Sequence, residues 1–290
     1  MAGRNQETVT ETNDNGDCYD APDHSLWRQQ SGLEGDIMGR LDGKIAIVTG
    51  AGSGLGKAIS ETFAQEGAKV VVTDVNAESA EAVAAGIGSG ALPLHQDVAD
   101  QDRWQSVFDE TAKAFGTPHI LVNNAGLVIP ATIEDCTLEQ FRLTNAVMLE
   151  GVFLGCQTAV NAMKTQDELC SIINLSSMAA LQGYSPFLAY AAAKGGVRSL
   201  TKSVALHCKE QNYPIRCNSL HPAGIDTPMV RQAAVGAEGE PTPETGMIPL
   251  GGLGHPKDVA ELCVYLASDA SRFMTAGEYP VDNGTLYQPS

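Results

Sequence analysis

Tyr190, Lys194 and Ser177 are the residues whose types and spacing suggest chemistry. Tyr190 and Lys194 stand four residues apart in a predicted helix, so their side chains share one face of it. A phenol with its usual pKa near ~10 is a poor base at neutral pH. An ammonium about 4 Å away, at an effective dielectric constant near 20, would lower that pKa by about three. Such a tyrosine can accept the proton of an alcohol as a hydride leaves, and Ser177 can hydrogen-bond the same oxygen.

A glycine-rich stretch at residues 49–56 follows directly on an apolar run at 45–48. It fits the pattern T-G-x-x-x-G-x-G, not G-x-G-x-x-G, whose third glycine would fall on a leucine. Glycines let a backbone turn sharply and approach a pyrophosphate, and the helix that follows offers free N–H groups. A plain strand-to-helix turn is the alternative interpretation of the glycines alone. We expect the cofactor-binding residues of this loop to be Gly50, Ser53, Gly54, Leu55 and Gly56.

Asp74 ends the second predicted strand, 18 residues after Gly56. A carboxylate at this place can bond both hydroxyls of an adenosine ribose and repels a 2′-phosphate. No Arg or Lys stands at 51–53 or 75–76 to receive such a phosphate. A solvated residue at a strand end is the alternative, but the spacing from the glycine loop favours a cofactor role. The sequence therefore predicts NAD as the cofactor, in preference to NADP.

Apolar strands and helices alternate from about residue 40 onward. We predict strands at 45–48, 70–72, 91–96, 120–122, 171–175, 215–220 and 278–281. We predict helices at 54–67, 77–86, 100–115, 137–164, 188–211 and 257–268. Continuous apolar strands that alternate with helices indicate a parallel sheet covered on both faces. The predicted fold class is therefore α/β, with a doubly wound, Rossmann-like sheet in a single domain.

The first 37 residues differ in composition from the rest of the chain. They hold two basic and eight acidic residues and no apolar run, which predicts a disordered acidic extension rather than a signal or transit peptide. Residues 38–290 form the predicted dinucleotide-binding domain. Within it, residues 227–254 scatter glycine and proline among small residues, which indicates a mobile flap over the substrate site.

The charge and the cysteines exclude several classes of function. The 290 residues include 18 Lys and Arg against 35 Asp and Glu, a formal net charge of −17, which argues against nucleic acid and anionic membranes as partners. The uncharged stretch 171–193 is too polar and broken to span a bilayer. Seven scattered cysteines without a C-x-x-C pair, and histidines without metal-ligand spacing, predict reduced thiols, no metal site and a cytoplasmic protein.

With these motifs, the chain resembles the short-chain dehydrogenase/reductase family over residues 40–285. The stretches 155–157, 215–219 and 282–284 are similar to the bacterial 3β/17β-hydroxysteroid dehydrogenase branch. The resemblance implies that Ser177, Tyr190 and Lys194 are catalytic and that the latter two also contact the cofactor. It adds cofactor contacts from Asp97, Val98, Asn124, Ala125, Gly126, Pro222, Ile225 and Thr227. Because family members are usually tetramers, packed through the helices at 137–164 and 188–211, a homotetramer is expected.

Met148 is a departure from the family pattern. The family has a catalytic asparagine three residues before the position of Gly151, where it supports a water relay to the lysine. Here that position is Met148, and the nearest asparagine, Asn145, lies one helical turn earlier. Asn145 would serve only if the helix shifts or a water bridges the gap.

These observations predict an NAD(H)-dependent oxidoreductase that interconverts an apolar secondary alcohol and its ketone, with a steroid-like or cyclic substrate as one candidate. The alternative is an NAD(H)-binding protein with little turnover, acting as a sensor or scaffold, which the methionine at 148 motivates. Four residues between Ser177 and Tyr190 could line an apolar substrate pocket, or simply pack: Met178, Tyr184, Pro186 and Phe187.

Overall fold

The computed structural model describes residues 10–12, 18–20, 39–233, 242–249 and 251–287, and within them nine strands. The first two are short and form an antiparallel pair, β1 Thr10–Thr12 and β2 Cys18–Asp20. The other seven form the main sheet: β3 Ile45–Thr49, β4 Lys69–Asp74, β5 Ala91–His95, β6 Ile120–Asn123, β7 Cys170–Leu175, β8 Ile215–Pro222 and β9 Glu278–Val281.

The main sheet is parallel throughout and runs in the order β5-β4-β3-β6-β7-β8-β9. Its central strands β3, β6 and β7 are buried along their whole length, as the continuous apolar runs indicate. The strand order reverses between β3 and β6, and sheets of this kind bind ligands outside the carboxyl ends of the strands at such a point. The predicted doubly wound fold is confirmed.

Helices cover both faces of the main sheet. They are α1 Gly54–Gln65, α2 Ala77–Ile87, α3 Gln101–Ala114, α4 Leu138–Asn145, α5 Gly151–Met163, α6 Leu188–Glu210, α7 Pro228–Ala233 and α8 Pro256–Ala267. Ile59 of α1 and Val264 of α8 pack with Val48 on one side of the sheet. Trp104 of α3 and Val197 of α6 belong to the core on the other side. Along β3 the side chains alternate between the two cores, with Ala46 and Val48 in the first and Ile47 in the second.

The predicted helix over 137–164 is divided into α4 and α5. Between them, Ala146–Glu150 forms a π-helical turn, which contains one extra residue per turn and is often found at functional sites. Gly151 begins α5 against Val98, where an added Cβ would lie 3.0 Å from the Val98 carbonyl oxygen. The apolar pattern continues through the turn, so the sequence does not reveal it.

The segment Leu138–Met163 is, within the part of the chain that the structure describes, long and apolar enough to cross a membrane. This finding rests only on the length and the amino-acid composition of the segment. In the structure the π-helical turn divides this segment, and Val152, Cys156 and Met163 pack into the core beneath the sheet. A core helix of an α/β domain has this same composition.

The predicted flap at 227–254 contains the helix α7, which its scattered glycine and proline residues do not predict. An ion pair between Arg231 of α7 and Asp226 holds this helix to the end of the sheet, and the Thr242 backbone N–H donates to the same carboxylate at 2.8 Å. At the base of the segment, the Asp226 N–H donates to the Gly254 carbonyl at 2.8 Å. Residues 234–241 and 250 lie outside the described residues, so the mobility of the flap stays a prediction.

The predicted disorder of residues 1–37 concerns a region of which the structure describes only β1 and β2, so it stays a prediction. The core of the main unit, Met38–Ser290, begins with Leu41. We therefore expect deletion of residues 1–37 to shift the Tm of the protein by less than about 2 °C. Thermal unfolding of both chains checks this, and a drop of many degrees would contradict it.

Candidate active site

A cleft of about 490 Å³ opens at the carboxyl ends of the parallel strands. We call it the dinucleotide cleft. The loops after β3, β4, β5, β6, β7 and β8 all contribute to its wall, so residues far apart in the sequence meet there. The predicted site residues that line it are Gly50, Ser53, Gly54, Leu55, Asp74, Asp97, Val98, Asn124, Ala125, Gly126, Tyr190, Lys194, Pro222, Ile225 and Thr227.

The glycine loop forms one wall of the dinucleotide cleft. Gly50 has a φ of 61°, and a Cβ there would lie 2.7 Å from the Ala125 Cα, so only glycine fits. Ser53 precedes α1 and forms no side-chain cap with any described residue, so the first backbone N–H groups of the helix are open to an anion. This glycine cradle at a helix N-terminus fits a pyrophosphate.

Gly56 is the one predicted cofactor residue that does not line the cleft. It is buried behind the loop, and a Cβ there would lie 2.3 Å from the Gly50 carbonyl oxygen and 2.6 Å from the Asn124 amide nitrogen. Its role is therefore to let α1 pack against the loop. Its part in cofactor binding stays a prediction.

Asp74 lies at the end of β4, where its carboxylate is held in place by two backbone donors. Oδ2 accepts a hydrogen bond from the Gly52 N–H at 2.9 Å, and Oδ1 accepts one from the Asn76 N–H at 2.9 Å. Each oxygen keeps a further lone pair for a ligand. A ribose bound in the dinucleotide cleft would meet an oriented carboxylate.

Asn124 ties the end of β6 to the glycine loop. Its side-chain amide donates to the carbonyl oxygens of Thr49 and Gly50, at 2.8 and 3.1 Å. The Thr49 hydroxyl oxygen in turn accepts from the backbone N–H groups of Asn124 and Ala125, at 3.0 and 3.1 Å. These bonds fix the backbone of residues 124–126 along the cleft. The Asn124 side chain therefore shapes the cleft by holding the glycine loop in place.

Tyr190, Lys194 and Ser177 meet between the start of α6 and the end of β7. Lys194 is 4% exposed, and its Nζ donates to the Leu175 carbonyl oxygen at 2.5 Å while lying 5.6 Å from the centre of the Tyr190 ring. The Ser177 hydroxyl accepts from the Ala179 N–H at 3.1 Å. The Ser177 side chain also lies close enough to the Tyr190 phenol to lower its pKa. The structure thus brings the three predicted catalytic residues together.

The comparisons with known proteins agree with this geometry. A family model described as enoyl-(acyl carrier protein) reductase matches residues 50–285. An NADP-dependent (R)-specific alcohol dehydrogenase of Lentilactobacillus kefiri is 42% identical over 86% of this chain and 99% of its own length. A 3-beta-hydroxysteroid dehydrogenase of Comamonas testosteroni is 36% identical over 86% of this chain and 98% of its own. The chain belongs to the short-chain dehydrogenase/reductase family.

A solved structure supports the same assignment. The 3-ketoacyl-(acyl-carrier-protein) reductase of Brucella melitensis, crystallised with NADH, superimposes with a TM-score of 0.76 at 32% identity, covering 85% of this chain and 99% of that one. A 3-alpha-(or 20-beta)-hydroxysteroid dehydrogenase of Mycobacterium tuberculosis is 41% identical over 86% of this chain and 92% of its own length. As a member of this family, the protein is an oxidoreductase that uses a nicotinamide cofactor.

The protonation of the catalytic pair differs from the sequence-based expectation. Burial raises the pKa of Tyr190 above its ordinary value, and the hydrogen bond from Ser177 opposes this only in part. Burial also lowers the pKa of Lys194, to about 8. Burial therefore dominates the pKa of Tyr190, where the sequence predicted a lowering by the ammonium, and the Lys194 Nζ donates to the Leu175 carbonyl oxygen.

His221, a histidine without metal-ligand spacing in the sequence, positions Ser177. His221, buried at the end of β8, lies 3.1 Å from the Ser177 carbonyl oxygen through Nδ1 and 3.0 Å from the Ser219 hydroxyl through Nε2. Because a carbonyl only accepts, Nδ1 carries the proton in this arrangement. Burial lowers the pKa of His221, which favours the neutral ring. The signal in the sequence that could have pointed to His221 is its position directly before Pro222, a predicted cofactor residue.

Met148, the departure from the family pattern, lies in the π-helical turn and lines the dinucleotide cleft. It is 1% exposed, and its methyl group would lie 3.2 Å from a Cβ added to Gly126. Asn145 does not replace the missing asparagine, since its amide donates to the Phe141 carbonyl oxygen of its own helix at 2.8 Å. A thioether thus occupies the position where the family has an amide.

A second cavity, of about 430 Å³, adjoins the dinucleotide cleft and shares Tyr190 with it. We call it the apolar cavity. Met178, Tyr184 and Phe187 line it as expected, whereas Pro186 does not. The other residues that line it are Val128, Ser177, Ala179, Gln182, Pro222, Ala223, Gly224, Met229, Val230, Ala233, Gly251, Gly252, Leu253 and Thr285.

Proposed function

We propose that the protein is an NAD(H)-dependent dehydrogenase that interconverts an apolar secondary alcohol and its ketone. The observation that carries this proposal is the position of Tyr190, which lines both the dinucleotide cleft and the apolar cavity. A group on this boundary can touch a substrate and a cofactor at once. The same family includes proteins named as alcohol and hydroxysteroid dehydrogenases.

The residues of the chain divide the proton chemistry among them. A nicotinamide bound in the dinucleotide cleft supplies or accepts the hydride. In the oxidation direction the Tyr190 phenolate would accept the proton of the substrate hydroxyl, and the Ser177 hydroxyl would donate a hydrogen bond to the same oxygen. Lys194 would stabilise the phenolate by its charge. His221 would hold Ser177 in place by a hydrogen bond to the Ser177 carbonyl oxygen.

The walls of the apolar cavity support an apolar substrate. Met178, Phe187 and Leu253 bring hydrocarbon surface to it, and its volume of about 430 Å³ is sufficient for a ring system. The relatives named for 3-beta- and 3-alpha-hydroxysteroids make a steroid-like or cyclic alcohol one candidate. Initial rates on a panel of linear, cyclic and steroid alcohols with NAD test this class. Binding of NADH without turnover on any of them would favour the sensor or scaffold alternative, which Met148 motivates.

We expect NAD to be preferred over NADP by more than about tenfold in kcat/KM, because the Asp74 carboxylate would repel a 2′-phosphate. The Lentilactobacillus kefiri relative is named NADP-dependent, so this preference cannot be transferred from it. Asp74→Ala should narrow the preference, and Asp74→Asn, which removes the charge and keeps the size, should do the same. Asp109→Ala on the exposed face of α3 is the control. Equal rates with limiting NAD and NADP in the parent enzyme would contradict the prediction.

We also propose a homotetramer in the cytoplasm. Several large apolar side chains on α4, α5 and α6 are exposed in the single chain, among them Leu143, Phe153 and Leu206. Exposed large apolar residues on packing helices are a feature of protein interfaces. The assembly is expected to elute at four times the chain mass of 30.5 kDa in size-exclusion chromatography with light scattering. A monomer in that measurement would exclude this assembly.

A further inference from the structure

The ladder between β7 and β8 ends at a proline, beside the reacting groups. The strands pair as far as Leu175 and Leu220, and the Ser176 N–H then donates to the Leu220 carbonyl oxygen at 2.8 Å. Pro222, the last residue of β8, has no N–H and cannot donate the next bond of the ladder. Beyond Ser176, a hydrogen bond donated from β8 to the end of β7 must therefore come from a side chain.

The side chain of His221 supplies that donor. The residue is fully buried, and its Nδ1 lies 3.1 Å from the Ser177 carbonyl oxygen. The same oxygen accepts the Ala180 N–H at 3.0 Å, so both of its lone pairs are used. The Ser177 hydroxyl oxygen accepts the Ala179 N–H at 3.1 Å. Ser177 is thus held at its carbonyl and at its hydroxyl oxygen, while the hydroxyl proton is left for donation to a substrate.

Ser177 and Ser219 favour the same tautomer of His221. A carbonyl oxygen cannot donate, so Nδ1 carries the ring proton and Nε2 presents a lone pair. The Ser219 hydroxyl lies 3.0 Å from Nε2 and can donate to that lone pair, whereas the Gly277 carbonyl oxygen is farther from it, at 3.3 Å. The opposite tautomer would set a lone pair on Nδ1 against the Ser177 carbonyl oxygen.

We propose that Ser219 and His221 form a positioning pair and that turnover depends on the Nδ1–H tautomer which this pair fixes. The inference rests on the dehydrogenase function proposed above. Both residues are fully buried and act through Ser177, which lines the apolar cavity. A displacement of about 1 Å in a group that meets the substrate can lower a rate by about 10²-fold.

Two substitutions of His221 distinguish its ring nitrogens. His221→Asn places an amide nitrogen where Nδ1 lies and keeps the donor to the Ser177 carbonyl oxygen. His221→Gln places an amide nitrogen where Nε2 lies and loses that donor, although its volume is closer to that of histidine. With a substrate from the alcohol panel, we expect kcat of His221→Asn to stay within about threefold of the parent value and kcat of His221→Gln to fall by at least about 30-fold. The Kd for NADH, from fluorescence titration, should change by less than about twofold in both.

The Tm values separate positioning from packing. Because asparagine leaves the larger gap at a buried site, His221→Asn should melt below His221→Gln, which is the opposite of their order in kcat. Ser219→Ala removes the donor to Nε2 but keeps the bond to Ser177, and should lower kcat by about three- to tenfold. His207→Asn and Ser203→Ala, on the exposed face of α6, are the matched controls and should keep the parent kcat.

The inference is overturned if the two His221 variants have equal kcat, or if the loss of kcat follows the loss of Tm, since His221 would then only fill space. If neither His221 variant folds, Ser219→Ala decides, and the parent kcat in that variant overturns the positioning pair. If the parent protein oxidises no alcohol of the panel, the proposed function fails, and this inference fails with it. Turnover by the parent with equal kcat in both His221 variants overturns the inference alone.

Discussion

Tyr190→Phe is expected to lower kcat by about 10²–10⁴-fold, while the Kd for NADH changes by less than about twofold. The phenylalanine ring keeps the packing of Tyr190 between the dinucleotide cleft and the apolar cavity. It removes only the hydroxyl, which is the proton acceptor for the alcohol. The measurement is steady-state kinetics with a substrate from the alcohol panel, beside a fluorescence titration with NADH.

Tyr213→Phe is the matched control for this experiment. It makes the same change of hydroxyl to hydrogen at a tyrosine that packs edge-on against His207, at the far end of α6. It should leave kcat and NADH binding at the parent values. Near-parent turnover in Tyr190→Phe would exclude the tyrosine as the proton acceptor.

The same proton step sets the sign of the pH dependence. Alcohol oxidation needs the phenolate, and burial raises the pKa of Tyr190, so the oxidation rate should still be rising with pH above neutrality. Ketone reduction needs the phenol and should fall over the same range. We assign the apparent pKa to the Tyr190–Lys194 pair as a whole and not to one residue. An oxidation rate that falls with pH would contradict this assignment.

Most of the fold followed from local patterns. β3 was predicted at 45–48 and ends at Thr49, because an apolar run bounded by Lys44 and the glycine loop can be read without knowing its neighbours. The predicted cofactor residues other than Gly56 line one cleft for a similar reason, since they lie near strand ends whose spacing is fixed by the alternation of strands and helices. Gly56 lies behind the loop against the Gly50 carbonyl, and a glycine pattern does not say on which side of a loop each glycine lies.

The features that the sequence did not predict depend on how deeply a side chain is buried and on which groups it contacts in the folded chain. The π-helical turn at Ala146–Glu150 continues the apolar pattern of a regular helix, so nothing in the spacing marks it. The pKa values of Tyr190 and Lys194 follow from how far both lie from water, which a four-residue spacing does not encode. Gln96 is one polar residue at a strand end, and only the packed structure shows that its amide lacks a partner among the described residues.

Lys194→Met is the second change for which we expect a large effect. It keeps the length and apolar stem of the side chain but removes the ammonium that would stabilise the phenolate and bind the nicotinamide ribose. We expect kcat/KM to fall by at least about 10²-fold and NADH affinity to fall by about tenfold, the worth of one charge-assisted hydrogen bond. Lys209→Ala, exposed near the end of the same helix, should change neither quantity.

The stability of Lys194→Met distinguishes a catalytic lysine from a structural one. Burial lowers the pKa of Lys194 from 10.5 to about 8, so the unfolded chain binds the proton more tightly than the folded chain. The parent protein should therefore gain stability as the pH rises from about 8 towards 10.5, by up to about 3 kcal/mol. The methionine variant lacks this group, so its stability should not rise over that range, and at pH 7 it should unfold at the same or a higher temperature than the parent. A variant that loses turnover while gaining stability places Lys194 in the chemistry, whereas parallel losses of both would show that the ammonium holds the end of β7 through Leu175.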